Sequence, residues 1–137
     1  MKLTLIVDSL LEVNWWIDTS YNTHDCCRGH TGCMMSLGKG VDLSSSVKQK
    51  IKVNSSTEGS LVRSHNGMGV VLWNKHFMEA QGYTVEHNKL YQENNSTILM
   101  EKNGISLISK RTKHINEIFL FVKYQLYQGG VEFEYWY

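Results

Sequence analysis

The sequence predicts an α/β protein in which one mixed sheet carries helices packed against it. Three observations lead there. Stretches rich in aromatic and β-branched residues lie near both ends of the chain, longer stretches carry apolar residues at helical spacing, and the two kinds alternate in order. A chain of 137 residues makes one domain, long enough to bury a real core and too short for two ordinary ones.

The elements follow in order. EVNWWIDTSY predicts a first strand ending near Asp18, and HTGCMMSLGKG a second strand closed by Gly38 and Gly40. SVKQKIKV sets Val47, Ile51 and Val53 against Lys48, Lys50 and Lys52. That period of two predicts a half-exposed third strand, and three strands joined by short loops form an antiparallel meander. From Ser55 to Gly82 the period lengthens. Leu61, Met68 and Leu72 make a helical stripe flanked by Val62 and Trp73, with Gly82 placed to stop it. Gly67 and Gly69 sit inside this helix, and each costs about 1 kcal/mol relative to alanine. NKLYQE predicts a short strand, NNSTILMEKNG a short helix, and RTKHINEIFLFVKYQL a stronger helix with Ile115, Ile118, Phe119, Val122 and Leu126 on one face. GGVEFEYWY closes the sheet with Val131, Phe133 and Tyr135 inward.

A net charge of +1 sets up no global field for nucleic acid or membrane, so any basic surface must come from local clustering. No stretch is long enough to span a bilayer, and the opening MKLTLIVDSLLEV does not read as a signal peptide. The expected location is intracellular, cytoplasmic or nuclear, with reduced thiols and no membrane partner. The sequons at Asn54 and Asn95 then carry no meaning.

THDCCRGHTGC places His24, Cys26, Cys27, His30 and Cys33 close together. Zinc sites present paired ligands two to four residues apart, twice over, whereas Cys26 and Cys27 are adjacent and their side chains diverge. No zinc is expected, and the segment is read as a polar hairpin loop.

Three carboxylates fall at element ends: Asp18 after the first strand, Glu58 at the start of the long helix and Glu93 after the fourth strand. If the first and fourth strands are parallel neighbours, their C-terminal ends form a crevice that a helix N-terminus can also reach. Clustered carboxylates repel unless a divalent cation lies between them. Each also has an ordinary role: Glu58 completes a capping box with Ser55, Asp18 suits a turn, and Glu93 a solvated strand end. Lys110, Arg111, Lys113 and His114 crowd a helix start, where side-chain charge and free backbone N–H groups both favour phosphate.

WWIDTSYNTHDCCRGHTG, KQKIKVNSSTEGSL, LYQENNSTILMEKNG and KRTKHINEIFLFVK, in that order, resemble the ribonuclease H domain of copia-type retrotransposon polyproteins. KLTLIVDSLLEV resembles the segment just ahead of it, so residues 1–12 are expected to be a remnant of that segment and 13–137 the domain. The resemblance implies the ribonuclease H-like five-stranded mixed sheet with flanking helices, and hydrolysis of RNA in RNA/DNA hybrids by Mg2+, with Mn2+ able to substitute. Its partners would be the hybrid and the reverse transcriptase portion of the parent polyprotein. Asp18 and Glu58 match two catalytic, metal-binding carboxylates, and Glu93 stands where the family carries aspartate. The family's final turn and helix, which bring a fourth ligand, are missing after VEFEYWY, and Ser60 replaces a frequent acidic residue. With the two glycines of the long helix, these departures imply an impaired copy. The alternative is a catalytically dead remnant that at most binds nucleic acid through its basic residues.

Overall fold

The computed structural model describes residues 4–20, 29–50, 56–93 and 113–136. They form β1 (Glu12–Ser20), β2 (His30–Ser36), β3 (Leu43–Lys48), α1 (Ser56–Ala80), β4 (His87–Gln92), α2 (Lys113–Tyr127) and β5 (Glu132–Tyr135). The short helix expected at 94–104 lies outside the described residues. All five strands join one sheet in the order β3-β2-β1-β4-β5. β1 is antiparallel to β2 and parallel to β4, β2 is antiparallel to β3, and β4 is parallel to β5. The meander and the parallel β1–β4 pair are thus as the sequence predicts.

Alternation along the strands gives the sheet two unlike faces. Val13, Trp15 and Ile17 of β1, Cys33 and Met35 of β2, Leu90 of β4 and Phe133 of β5 are buried. They meet Leu61, Val62, Met68 and Val71 of α1 and Ile118, Phe119 and Val122 of α2 in one core. Burying side chains of this size contributes about 1.5–3 kcal/mol each before conformational entropy is set against it. The polar groups of Trp15 and Asn88 inside the core are matched. The indole N–H of Trp15 donates to Asn88 Oδ1 at 3.0 Å, and Asn88 Nδ2 donates to the Gly130 carbonyl at 3.0 Å. One buried amide therefore ties β1, β4 and the turn before β5 together.

Both helices end on a glycine with positive φ, Gly82 at 90° and Gly129 at 67°. Gly82 N–H donates to the Glu79 carbonyl and Tyr83 N–H to that of Met78; Gly129 and Gly130 repeat the pattern with Leu126 and Gln125. These paired bonds satisfy the last carbonyls of each helix and turn the chain back towards the next strand. Gly82 is the stop expected from the sequence.

Four expectations need correction. The internal glycines were read as signs of decay, yet a Cβ on Gly67 would collide with Cδ1 of the buried Ile17. At Gly67 α1 packs on Ile17 of β1 and leaves no room for a Cβ unless Ile17 shifts; around Gly69 there is open space. Val47 is 58% exposed on β3, the edge strand of the sheet. Gln49 is buried there in its place and donates from Nε2 to Thr31 Oγ1 at 3.1 Å; Ile51 and Val53 lie outside the described residues. Trp73, placed beside the core stripe, is 61% exposed and stacks on Phe77 instead. Finally, His30 and Cys33 belong to β2, as the strand reading of HTGCMMSLGKG has it and the loop reading of THDCCRGHTGC does not, and Cys33 is part of the core. His24, Cys26 and Cys27 lie outside the described residues.

Three outcomes follow from this packing. Gly67→Ala should lower stability in a denaturant titration, because Ile17 must move and overpacking costs about 1–3 kcal/mol, more than the helix propensity gained. Gly69→Ala should raise it by about 1 kcal/mol. Burial pushes the Cys33 thiol up to about 11, so at pH 8 only about one molecule in a thousand carries the reactive thiolate. In a Cys26→Ser, Cys27→Ser background, mass spectrometry should show slow alkylation of Cys33 in the native protein and rapid alkylation in denaturant.

Candidate functional site

The parallel register pairs Trp16 with Tyr91 as the last residues joined between β1 and β4. Two residues further on are Asp18 and Glu93. Both line one cavity of about 580 Å³ at the C-terminal ends of these strands, where open α/β sheets place their ligands. Glu58 is in the first turn of α1, the end of a helix that favours negative charge. Ser55, its expected capping partner, lies outside the described residues.

A residue not anticipated from the sequence stands beside Asp18. Arg63, with a side chain only 5% exposed, extends Nη1 to 3.5 Å from Asp18 Oδ1, whose side chain is 81% exposed. Its Nη2 donates to Ser60 Oγ at 2.9 Å. Ser64, one residue on, donates from Oγ to the Ser60 carbonyl at 3.1 Å and to Gln92 Oε1 of β4 at 3.4 Å. Ser60, Arg63 and Ser64 follow at three- and four-residue spacing on one face of α1. They make a buried polar seam between the helix and the strand ends that carry the carboxylates. The spacing was readable; what it faced was not. With the Asp18 end of the pair in solvent and the separation at 3.5 Å, the contact adds little to stability, so its effect is on local charge.

The donor set does not fit a two-ion centre as it stands. Among the described residues no three Asp, Glu, His or Cys side chains form a group able to hold a metal ion. Asp18 and Glu93 share the cavity, Glu58 is not among its lining residues, and the fixed cation near Asp18 belongs to the protein.

The sheet face away from the helices carries a second feature that sequence reading missed. The rings of Trp16 and Tyr91 are stacked, with centroids 5.4 Å apart and planes 17° from parallel. Trp136 meets both edge-on, at 5.8 and 5.7 Å, held by its backbone N–H donating to the Gln92 carbonyl at 3.0 Å. The signal was the alternate phase of β1: Trp15 points to the core, so Trp16 must point away. Nearby, Lys89 donates to Glu12 Oε1 at 3.0 Å. That bond holds the Glu12 carboxyl below its ordinary range and the Lys89 ammonium above its own. Burial pushes the Tyr91 hydroxyl up, keeping it a neutral donor. Of the expected phosphate contacts, Lys110 and Arg111 lie outside the described residues, as do the side chains of Lys113 and His114, whose backbone opens α2.

No family model and no curated protein sequence matches the chain. Solved structures do. A ribonuclease H1 isolated from compost by a metagenomic approach superposes with a TM-score of 0.60 at 10% identity, covering 92% of this chain and 84% of that one. The same enzyme in complex with an RNA/DNA hybrid gives 0.60 at 12% identity, covering 91% and 85%. Ribonuclease H1 from the halophilic archaeon Halobacterium salinarum gives 0.55 at 8% identity, covering 91% and 85%. The prototype foamy virus protease-reverse transcriptase gives 0.53 at 11% identity, with 91% of this chain matched to 17% of that one. At these identities the shared property is architecture: the chain has the ribonuclease H-like fold.

Proposed function

We propose that the chain is a ribonuclease H-type domain of copia-like retroelement origin that engages RNA/DNA hybrids and hydrolyses their RNA strand poorly. The observation that carries this reading is the placement of Asp18 near the end of β1 and Glu93 just after the parallel neighbour β4, on one cavity, within a ribonuclease H-like fold. One of the structural neighbours is itself a complex with an RNA/DNA hybrid. In this proposal Asp18, Glu58 and Glu93 are the catalytic carboxylates and the weak ligands of Mg2+ or Mn2+, and zinc has no part. Lys110, Arg111, Lys113 and His114 contact phosphate, and the reverse transcriptase portion of a parent polyprotein is the protein partner, inside the cell.

The proposed impairment has two physical sources. Arg63 supplies positive charge near Asp18, which lowers the carboxylate's attraction for a divalent ion. Glu93 carries one more methylene than the aspartate of the resembling family, and a misplacement on the order of 1 Å at a reacting centre can cost about a hundredfold in rate. The Arg63 contact also favours the stricter reading, in which the chain binds hybrids and does not cleave them.

Cleavage of a labelled hybrid in Mg2+ separates these readings. The unmodified chain should be very slow. Arg63→Gln, which keeps a donor for Ser60, combined with Glu93→Asp should raise the rate by at least about tenfold, and adding Asp18→Asn should abolish the gain. Fast cleavage by the unmodified chain would refute the impairment. A doubly changed protein that remains folded and inert would leave only binding. For that binding, Arg111→Ala with Lys113→Ala should weaken hybrid affinity alike across sequences and flatten its salt dependence, read by filter binding at several salt concentrations.

A further inference from the structure

The cavity beside Asp18 and Glu93 has a floor that metal chemistry does not require. Trp16, Tyr91 and Trp136 line it together with Met34, Val41 and Ser44. Its volume of about 580 Å³ falls within the roughly 300–1,000 Å³ typical of small-molecule sites. Three properties define what would fill it. The Trp16 and Tyr91 rings are within 17° of parallel and Trp136 stands across them, an arrangement suited to a further flat ring lying parallel to the pair. Met34 and Val41, each about half exposed, line the same cavity and offer apolar surface to such a ring. The two carboxylates of Asp18 and Glu93 accept hydrogen bonds from amino groups. A flat ring that carries amino groups describes a nucleobase.

We propose that this cavity binds a single nucleobase, stacked on the Trp16–Tyr91 pair, with an exocyclic amine facing Asp18 or Glu93. The ring belongs either to a free nucleoside or to one unstacked base of a bound strand. Only the second source rests on the reading of the chain as a nucleic-acid-processing domain. Sequence-tolerant stacking of this kind is how single-stranded bases are held on aromatic side chains.

The test uses the full chain carrying Trp73→Phe, which removes the exposed indole of α1 from the emission. Tryptophan fluorescence is titrated with adenosine and cytidine, with ribose 5-phosphate as the baseless control. Saturable quenching by either nucleoside and none by the control is expected. Trp136→Ala, at the end of the chain where circular dichroism should show an unchanged fold, should weaken binding at least about fivefold; Tyr91→Leu provides a second variant should the first unfold. A second arm compares a short single-stranded RNA with the same strand made abasic at every position. Loss of about tenfold or more in affinity on removing the bases, together with sensitivity to Trp136→Ala, would make the strand the source. Quenching by nucleosides without strand binding would keep the cavity and discard the strand. No saturable binding of nucleoside or strand, or binding indifferent to both aromatic substitutions, would overturn the proposal, and neither result depends on whether hybrids are cleaved.

Discussion

The indole N–H of Trp15 fixes this fold. It donates to Asn88, which passes the connection to the Gly130 carbonyl, so one chain of buried hydrogen bonds crosses β1, β4 and the entry to β5. Either half of Asn88 left unpaired in that core would cost about 1–3 kcal/mol. A one-residue slip of β4 would break both bonds and also turn Leu90 outward. Because the register is held, Trp16 and Tyr91 lie side by side on the opposite face, and Asp18 and Glu93 follow them at the strand ends. The placement of Trp16 and Tyr91 on one face is therefore set by contacts on the other face of the sheet.

The seating of α1 makes the second constraint. Gly67 brings the helix close over Ile17, and Ser64 fastens the same helix to Gln92 of β4. Between these two contacts the helix has little freedom to roll, so Arg63 is delivered to Asp18 by the backbone and not by its own length alone. Serine at position 60 matters here too. It accepts a hydrogen bond from the guanidinium, a role that differs from that of an acidic residue in the same place.

Strand order and helix positions were legible because period and punctuation agreed with tertiary structure in most elements: Gly82 stopped α1, and the face Ile118–Phe119–Val122 was buried as its spacing required. The misreadings have a common cause. Gly67, Val47 and Trp73 were judged by local propensity, while their environments were decided by tertiary placement: Ile17, the sheet edge and Phe77. The placement of Asp18 and Glu93 could be inferred, since the ends of two parallel strands are neighbours by topology. Arg63 could not, because its partner is 45 residues away in sequence and no local pattern marks it. The open-face aromatic group is half legible: alternation tells which way Trp16 points but not that Trp136 returns to meet it.

The Arg63–Asp18 contact turns occupancy of the site into a competition between a tethered ion and a free one. A dissolved divalent cation is present in proportion to its concentration, and it leaves when that falls. The guanidinium is carried on the same helix as its serine partner, cannot be diluted away, and keeps its charge at every pH at which the protein folds. Its local concentration is fixed by chain geometry. A carboxylate with such a neighbour answers less to the ionic composition around it than one whose positive partner must arrive from solution.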